Sequence, residues 1–213
     1  MKKICMISDT HDQLNKIIFP HDCDMLLIAG DITGMGTIPQ LSKFNLHLQK
    51  VIKAYGFKDV VYISGNHDFL LQKDGVLAQS LITGAHYLQD SMIEIDGIRI
   101  YGSPWSPFFH NWAWNLNRGP QIRAKWDLIP ECDILITHGP CYGILDEADL
   151  YSGHLGCRDL LDAVLRIKPK IHLAGHIHGG YGVKEFEGIT FVNSSSCNEM
   201  YKPVNPPIVI EIE

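Results

Sequence analysis

Five short polar clusters in this chain of 213 residues carry side chains able to bind a metal or move a proton: Ser8-Asp9-Thr10-His11, Gly30-Asp31, Gly65-Asn66-His67-Asp68, Thr137-His138-Gly139-Pro140 and Gly175-His176-Ile177-His178. Asp9 and Asp31 offer carboxylates, Asn66 an amide oxygen, and His11, His67, His138, His176 and His178 imidazoles, with no thiolate among them. Mixed oxygen and nitrogen donors suit Mn, Fe, Zn or Co, whereas a structural zinc site would draw on Cys. Asp9 and His11 stand two apart, as do His176 and His178, and residues i and i+2 of an extended segment point the same way, so each pair can grip one site. The seven ligand-type residues besides His67 exceed the needs of one ion. A carboxylate can bridge two ions roughly 3.5 to 4 Å apart, an arrangement that hydrolyses phosphate esters. For any one of these histidines, a satisfied polar residue at a strand end is the simpler reading; as one ordered set, they favour metal.

The clusters need elements to bring them together. Each follows a short β-branched apolar run, at 4–7, 25–29, 60–63, 134–137 and 171–174, as expected of strands buried on both faces. Carboxyl ends of parallel strands gather at one edge, so clusters distant in sequence converge there. Glycines at 30, 65, 139 and 175 permit the tight turns involved. Ile38, Leu41, Leu48, Val51, Ile52 and Tyr55 predict a helix over 38–55, with Thr37 to cap it, Pro39 in its first turn and Gly56 at its end. A second helix over 158–167 is stopped by Pro169. Strand, helix, strand repetition implies right-handed crossovers and a largely parallel sheet. Asp96-Gly97 between strands at 91–95 and 98–101 signals a hairpin; with further strands at 189–192 and 208–212, it implies a second, partly antiparallel sheet.

The stretch 102–127 has little periodicity but gathers Trp105, Phe108, Phe109, Trp112, Trp114 and Trp126 with Arg118 and Arg123. It reads as a functional loop, most of its rings forming a satellite core and one or two facing a ligand. Trp105 is a candidate substrate contact. Arg118 could meet a phosphate through its bidentate fork, an exposed or helix-pairing arginine being the plainer role.

Composition bounds the rest. With 46% hydrophobic and 20% charged residues and a mean hydropathy of zero, the chain is an ordinary globular one, read as a single domain over 1–213. A net charge of -6 without any Lys/Arg block argues against long nucleic acid or a membrane surface as partner. Two divalent ions on Asp9 and Asp31 would make the site locally positive, so the acidity does not exclude a phosphate ester. The apolar run after Met1-Lys2-Lys3 ends at Ser8-Asp9, too short for a signal sequence. Six cysteines without a C-x-x-C read as buried free thiols in a reducing, cytoplasmic setting. No stretch encodes an oligomer, and a homodimer stays open.

The ordered series D-x-H, G-D, G-N-H-D, T-H-G-P and G-H-I-H resembles the calcineurin-like metallophosphoesterase superfamily over nearly the whole chain. His176-Ile177-His178-Gly179-Gly180-Tyr181-Gly182, Gly102-Ser103-Pro104-Trp105 and Asn205-Pro206-Pro207-Ile208 resemble its MPPED group, near the class III cyclic nucleotide phosphodiesterases. The resemblance implies an α/β fold of two facing mixed β-sheets flanked by helices, a four-layer α/β/β/α sandwich. It implies two divalent metal ions, Asp9, His11 and His178 holding one, Asn66, His138 and His176 the other, and Asp31 bridging them. A hydroxide between the ions would attack a small-molecule phosphate ester in line, and His67 would protonate the leaving group, with Asn66 and His67 also touching substrate. Protein-phosphatase relatives carry G-D-x-x-D-R-G, but here Gly30-Asp31-Ile32-Thr33-Gly34-Met35-Gly36 lacks the second Asp and the Arg. The partner of His67 is thereby left open, and Asp68 is expected to brace its turn or a ligand. His21, His47, His86, His110, His154 and His172 match no motif and read as surface or packing residues, His110 being the one inside the aromatic segment. A phosphodiesterase is the leading expectation; a phosphomonoesterase, a nuclease or a scaffold without turnover are its alternatives.

Overall fold

Alternation along the strands sorts their side chains into separate hydrophobic layers. In β1 (Lys2–Ile7), Ile4 and Met6 join one layer and Cys5 and Ile7 another; β2 (Met25–Ile28) divides Met25 and Leu27 from Leu26 and Ile28 in the same way. The period of two is dictated by the pleat. The structure, a computed structural model, describes residues 1–149 and 151–212; Leu150 and Glu213, which fall within the expected 1–213 domain, lie outside the described residues.

β1 and β2 pair in parallel with each other, and β3 (Asp59–Tyr62) and β4 (His86–Tyr87) extend the same sheet in parallel. A hairpin of β5 (Ser91–Ile95) and β6 (Ile98–Ser103) turns at Asp96-Gly97 and opens a second sheet. After a two-residue ribbon, β7 (Ser106–Pro107) with β8 (Asn115–Leu116), the chain adds β9 (Ile134–Thr137), β10 (Ile171–Ala174), β11 (Gly182–Phe186) and β12 (Ile189–Asn193). The order in that sheet is β11-β12-β10-β9-β6-β5, parallel at its centre and antiparallel at both edges. β13 (Ile208–Ile212) returns to the first sheet, antiparallel to β1, with Lys2 opposite Ile212 and Met6 opposite Ile208.

Two expectations change. The strand at 208–212 belongs to the first sheet, because Ile208, Ile210 and Ile212 alternate onto the same inter-sheet layer as Ile4 and Met6 of β1. The cluster-bearing strands also divide, β1 to β3 lying in one sheet and β9 and β10 in the other, because β9 and β10 add in parallel beyond β6 rather than beside β3.

Between the sheets, Ile4, Met6, Leu27 and Val61 meet Ile100, Ile134, Ile136 and Leu173. Outside the first sheet, α1 (Ile38–Tyr55) lays Leu41, Phe44 and Leu48 over Cys5, Leu26 and Tyr62, with α2 (Phe69–Lys73) and α3 (Gly75–Ser80) alongside. Outside the second, α4 (Pro120–Trp126) and α5 (Arg158–Ile167) set Ile122, Trp126, Leu160 and Val164 against Leu135 and Phe191. The result is the expected four-layer α/β/β/α sandwich. α1 has the boundaries its sequence signals: Gln40 Oε1 accepts the Thr37 N–H at 3.1 Å, and Gly56 takes the left-handed φ of 74° that ends it. All six cysteines are buried and free. No helix among the described residues is long and apolar enough to cross a membrane.

Gly102 in β6 marks a close approach within the apolar layer: a Cβ there would lie 2.5 Å from Leu88 Cβ and 2.7 Å from Ile63 Cγ2. Gly102→Ala is expected to destabilise the fold by about 1 to 3 kcal/mol through overpacking. Urea unfolding of the two proteins measures it, and an unchanged midpoint would contradict this packing.

Candidate metal centre

The carboxyl ends of β1, β2, β3, β9 and β10 meet at one edge of the sandwich, and short links across it hold the two sheets in register. Ser8 N–H donates to Ser194 O (2.9 Å) and Ser196 N–H to Ser8 O (2.8 Å), while His138 Nδ1–H donates to Ala29 O (2.9 Å). The close approach requires Gly65, where a Cβ would strike Asp31 and the His138 ring, and Gly175, where it would strike Ser8 and Asp9. Asp9 (φ 51°), His11 (40°), Asp31 (50°) and His176 (67°) all adopt left-handed backbone. Such residues cost about 1 to 3 kcal/mol each and persist where surroundings over-determine them. Here Asp9 N–H is held by Gly30 O (3.0 Å) and His11 N–H by Asp31 O (3.1 Å).

The seven expected ligands converge, and Asp31 stands at their centre. Its Oδ2 lies 3.4 Å from His138 Nε2 and 3.9 Å from both His11 Nε2 and His67 Nε2, while Oδ1 accepts the His67 N–H at 2.8 Å. Possible ligand atoms gather within 4.8 Å of one another in three overlapping groups: Asp9, His11 and His178; His11, Asp31 and His67; and Asp31, His138 and His176. Asn66 Oδ1 adjoins the last, 2.8 Å from His138 Nε2.

These residues fit divalent cations on their own geometry. Asp9 Oδ1 and His11 Nδ1 are buried without a hydrogen-bond partner, and the Nε2 atoms of His11 and His178 face each other at 3.3 Å. A buried carboxylate oxygen left bare is costly unless a cation satisfies it. Backbone carbonyls fix three of the rings: His138 Nδ1–H donates to Ala29 O, His178 Nδ1–H to Asn198 O (3.0 Å) and His67 Nδ1–H to Gly34 O (2.7 Å). Each then turns Nε2 toward the cluster, the orientation that tunes metal-binding imidazoles. Ser195 Oγ and the His176 N–H, both 2.9 Å away, hold the other oxygen of Asp9.

Electrostatics follow the same geometry. Burial would raise the carboxyls of Asp9 and Asp31, but the surrounding imidazoles outweigh it and hold both below the usual carboxylate range. Burial likewise opposes charge on His138 and His178, yet Asp31 for the first and Asp9 for the second prevail and push each ring up to about 9. His176, lacking such a close partner, is pushed down to about 4 by burial and then by His138.

Above the cluster opens a cleft of about 410 Å³, whose wall includes Asp31, Asn66, His67, His176 and His178. Trp112 packs against His67 with ring centroids 4.1 Å apart and planes tilted by 35°, and Phe108, Phe109, His110 and Arg118 also line the wall. His110 is therefore the one motif-free histidine at the cleft. Buried His172 instead meets Thr137 Oγ1 at 2.8 Å, while His154 pairs with Asp146. Arg118 donates to Gly156 O (2.6 Å) and Leu155 O (2.7 Å), bracing the neighbouring loop. Trp105 does not line the cleft: its indole N–H donates to the Asp90 carboxylate, with Lys125 over its ring, which turns it into the structure beneath. Trp114 and Trp126 are buried, as the satellite-core reading expects.

The place of the absent second Asp beside His67 is taken by the Gly34 carbonyl. Asp68, fully buried, accepts from Gly65 N (2.8 Å), Thr33 N (3.0 Å), Thr33 Oγ1 (2.7 Å) and Ile32 N (3.2 Å), pinning the 30–36 loop to the His67 turn. Burial and nearby Asp31 push its carboxyl up to about 7 against these donors. The sequence reading missed the turn at 198–201, which brings Glu199 and Tyr201 to the cleft. Tyr201 sits edge-on to His11 and His178, 4.7 and 5.3 Å between centroids, on a left-handed backbone of φ 55°. A signal was present: Ser194 to Asn198 is a sixth polar cluster following a strand, β12, parallel to β10.

Comparison with known proteins gives an independent view. The family model described as calcineurin-like phosphoesterase matches residues 2–180. The human metallophosphoesterase domain-containing protein 1 is 41% identical over 231 residues, covering 97% of this chain and 69% of that protein. A UPF0046 protein of Caenorhabditis elegans is 36% identical over 222 residues, covering 89% of this chain and 54% of its own. Among solved structures, the protein TT1561 of Thermus thermophilus superposes with a TM-score of 0.59 at 13% identity, over 90% of this chain and 88% of that one, a likeness of fold.

Because His138 and His178 sit near 9 in the metal-free cluster, cation binding must displace their protons. Titrating metal-free protein with Mn(II) at pH 7 in buffers of different ionisation heat is expected to show net proton release, and affinity is expected to fall as pH drops from 8 to 6. Binding without proton release would contradict the arrangement.

Proposed function

From the premise that the chain belongs to the calcineurin-like phosphoesterase family, and is thus a metal-dependent hydrolase of phosphate esters, we propose that it cleaves small-molecule phosphodiesters at a centre of two divalent ions. The observation that carries the reading is the position of Asp31 Oδ2, within 3.4 to 3.9 Å of three imidazole nitrogens and shared between two of the three ligand groups. On this reading Asp9, His11 and His178 hold one ion, Asn66, His138 and His176 the other, and Asp31 both. Mn, Fe, Zn and Co all suit such a donor set. Bound divalent ions supply Lewis-acid charge against phosphoryl oxygens and make water a competent nucleophile near neutral pH.

The chain's own residues supply the rest. His67, tethered through Nδ1–H to Gly34 O and flanked by Trp112, presents Nε2 to the cleft, and its doubly protonated ring gives the Nε2 proton to the departing ester oxygen while keeping the one on Nδ1. Arg118 positions the loop around Leu155 and Gly156 rather than serving as a free phosphate clamp. Phe108, Phe109 and Trp112 offer flat apolar surface for an ester substituent, which a diester has on both sides of phosphorus. A compact cleft and the absence of a basic block favour a small molecule over long nucleic acid.

Protein loaded with Mn(II) is expected to bind about two ions per chain and to hydrolyse bis-p-nitrophenyl phosphate. Asp31→Asn and His176→Ala should lose both metal and turnover. His67→Gln should keep its metal while kcat falls by about 10²-fold or more, the scale of a lost general acid. Elemental analysis beside initial rates checks each, and no turnover with any of Mn, Fe, Co, Zn or Ni would refute the reading.

A further inference from the structure

We propose that Glu199 sets the charge of the substrate, so that the cleft accepts monoanionic phosphodiesters in preference to dianionic phosphate monoesters. This deepens, and rests on, the phosphoesterase reading above. Glu199 lines the same cleft as Asn66, His67 and His178. Its Oε1 accepts the Gly179 N–H at 2.8 Å, which ties the carboxylate to the residue next to His178. The turn that carries it is rigidly built: Asn198 Oδ1 accepts from Met200 N (3.1 Å) and Lys202 N (3.0 Å), and Asn198 O receives the His178 Nδ1–H. The carboxylate, though exposed, is thereby tethered at the rim beside His178.

The cleft holds one fixed cation against it, and that cation is tethered at the loop. Among the described residues lining the cleft, Arg118 is the sole Lys or Arg, and its Nη1 and Nη2 are committed to the Gly156 and Leu155 carbonyls. A dianion entering here is repelled by the Glu199 carboxylate more strongly than a monoanion is, and the guanidinium held at the loop is not free to move onto it. Esterifying one phosphate oxygen removes a unit of negative charge and adds a substituent for the rings of Phe108, Phe109 and Trp112, so both features select the same class. Because Glu199 is solvent-exposed, the discrimination is that of a partly screened charge, roughly threefold to tenfold.

Two esters isolate charge from leaving group: p-nitrophenyl phosphate, a dianion at pH 8, and methyl p-nitrophenyl phosphate, a monoanion. With Mn(II)-loaded protein, Glu199→Gln is expected to raise the monoester-to-diester ratio of kcat/KM at least threefold, the shift shrinking as NaCl is added. Glu199→Asp, which keeps the charge, is expected to hold the ratio near that of the parent protein. Gln retains an acceptor for the Gly179 N–H, and a ratio within one sample cancels any loss of active protein. An unchanged ratio in Glu199→Gln would overturn the assignment. If no ester turns over, the phosphoesterase reading fails instead, and calorimetric binding of orthophosphate decides the role of Glu199: at least threefold tighter in Glu199→Gln supports it, equal affinity refutes it.

Discussion

A carboxylate with 2% of its surface exposed cannot stay ionised without positive charge or hydrogen-bond donors around it, and Asp31 is such a group. Three imidazole nitrogens within 4 Å and one backbone N–H answer that demand. Asp9, fully buried, has one oxygen satisfied by Ser195 and the His176 N–H and the other without a hydrogen bond, 3.4 Å from His178 Nε2. Asp31 and Asp9 in turn favour the protonated rings of His138 and His178, and a divalent cation would supply positive charge directly to the same oxygens. Much of the surrounding architecture serves to bring these groups into range. Left-handed backbone at four of the expected ligands and glycines at close approaches are local costs accepted for that end.

Rigidity around the cluster comes from the backbone as much as from side chains. The Ala29, Asn198 and Gly34 carbonyls each take an Nδ1–H and so aim an Nε2 inward. A carbonyl in that role does not titrate, and it moves only with the loop that bears it. For His67 that loop is 30–36, which Asp68 fastens through four hydrogen bonds. The protein-phosphatase pattern assigns a side-chain carboxylate near this position; here Asp68 acts one step removed, holding the loop that holds the ring.

Much of this was legible in the sequence because it depends on local chemistry. The five polar clusters, the caps of α1 and the Asp96-Gly97 turn are written in residue types at fixed offsets, and β-branched runs mark the strands that carry the clusters. Sheet membership was less legible. The alternation in 208–212 suits an edge strand of either sheet, and only its register on β1 decides between them. Gly34 O could not be found by residue type, since every residue has a carbonyl. Trp105 misled for the opposite reason: an aromatic ring near a motif looks like a ligand platform, but its indole N–H found Asp90. Glu199 and Tyr201 stand on a turn whose polar cluster lacks the repeated histidine that drew attention to the others.

The floor and the walls of the cleft thus obey different constraints. Floor residues leave the ends of hydrogen-bonded strands in two sheets, so moving any one by an ångström disturbs a buried charge balance that the others share. Wall residues come from connections, the aromatic stretch around 107–112, Arg118, Ala148 with Leu155 and Gly156, and the turn at 198–201, and their exposed rings bear little of the core. Phe108 and Phe109 are 58% and 57% exposed, whereas Trp114 of the same segment is buried at 2%, so one stretch both anchors itself and leaves free surface for a ligand. Chemistry is fixed where burial makes change costly, and selectivity is set where it does not. That separation lets a chain keep its metal centre while the shape and charge of the accepted ester are altered in loops alone.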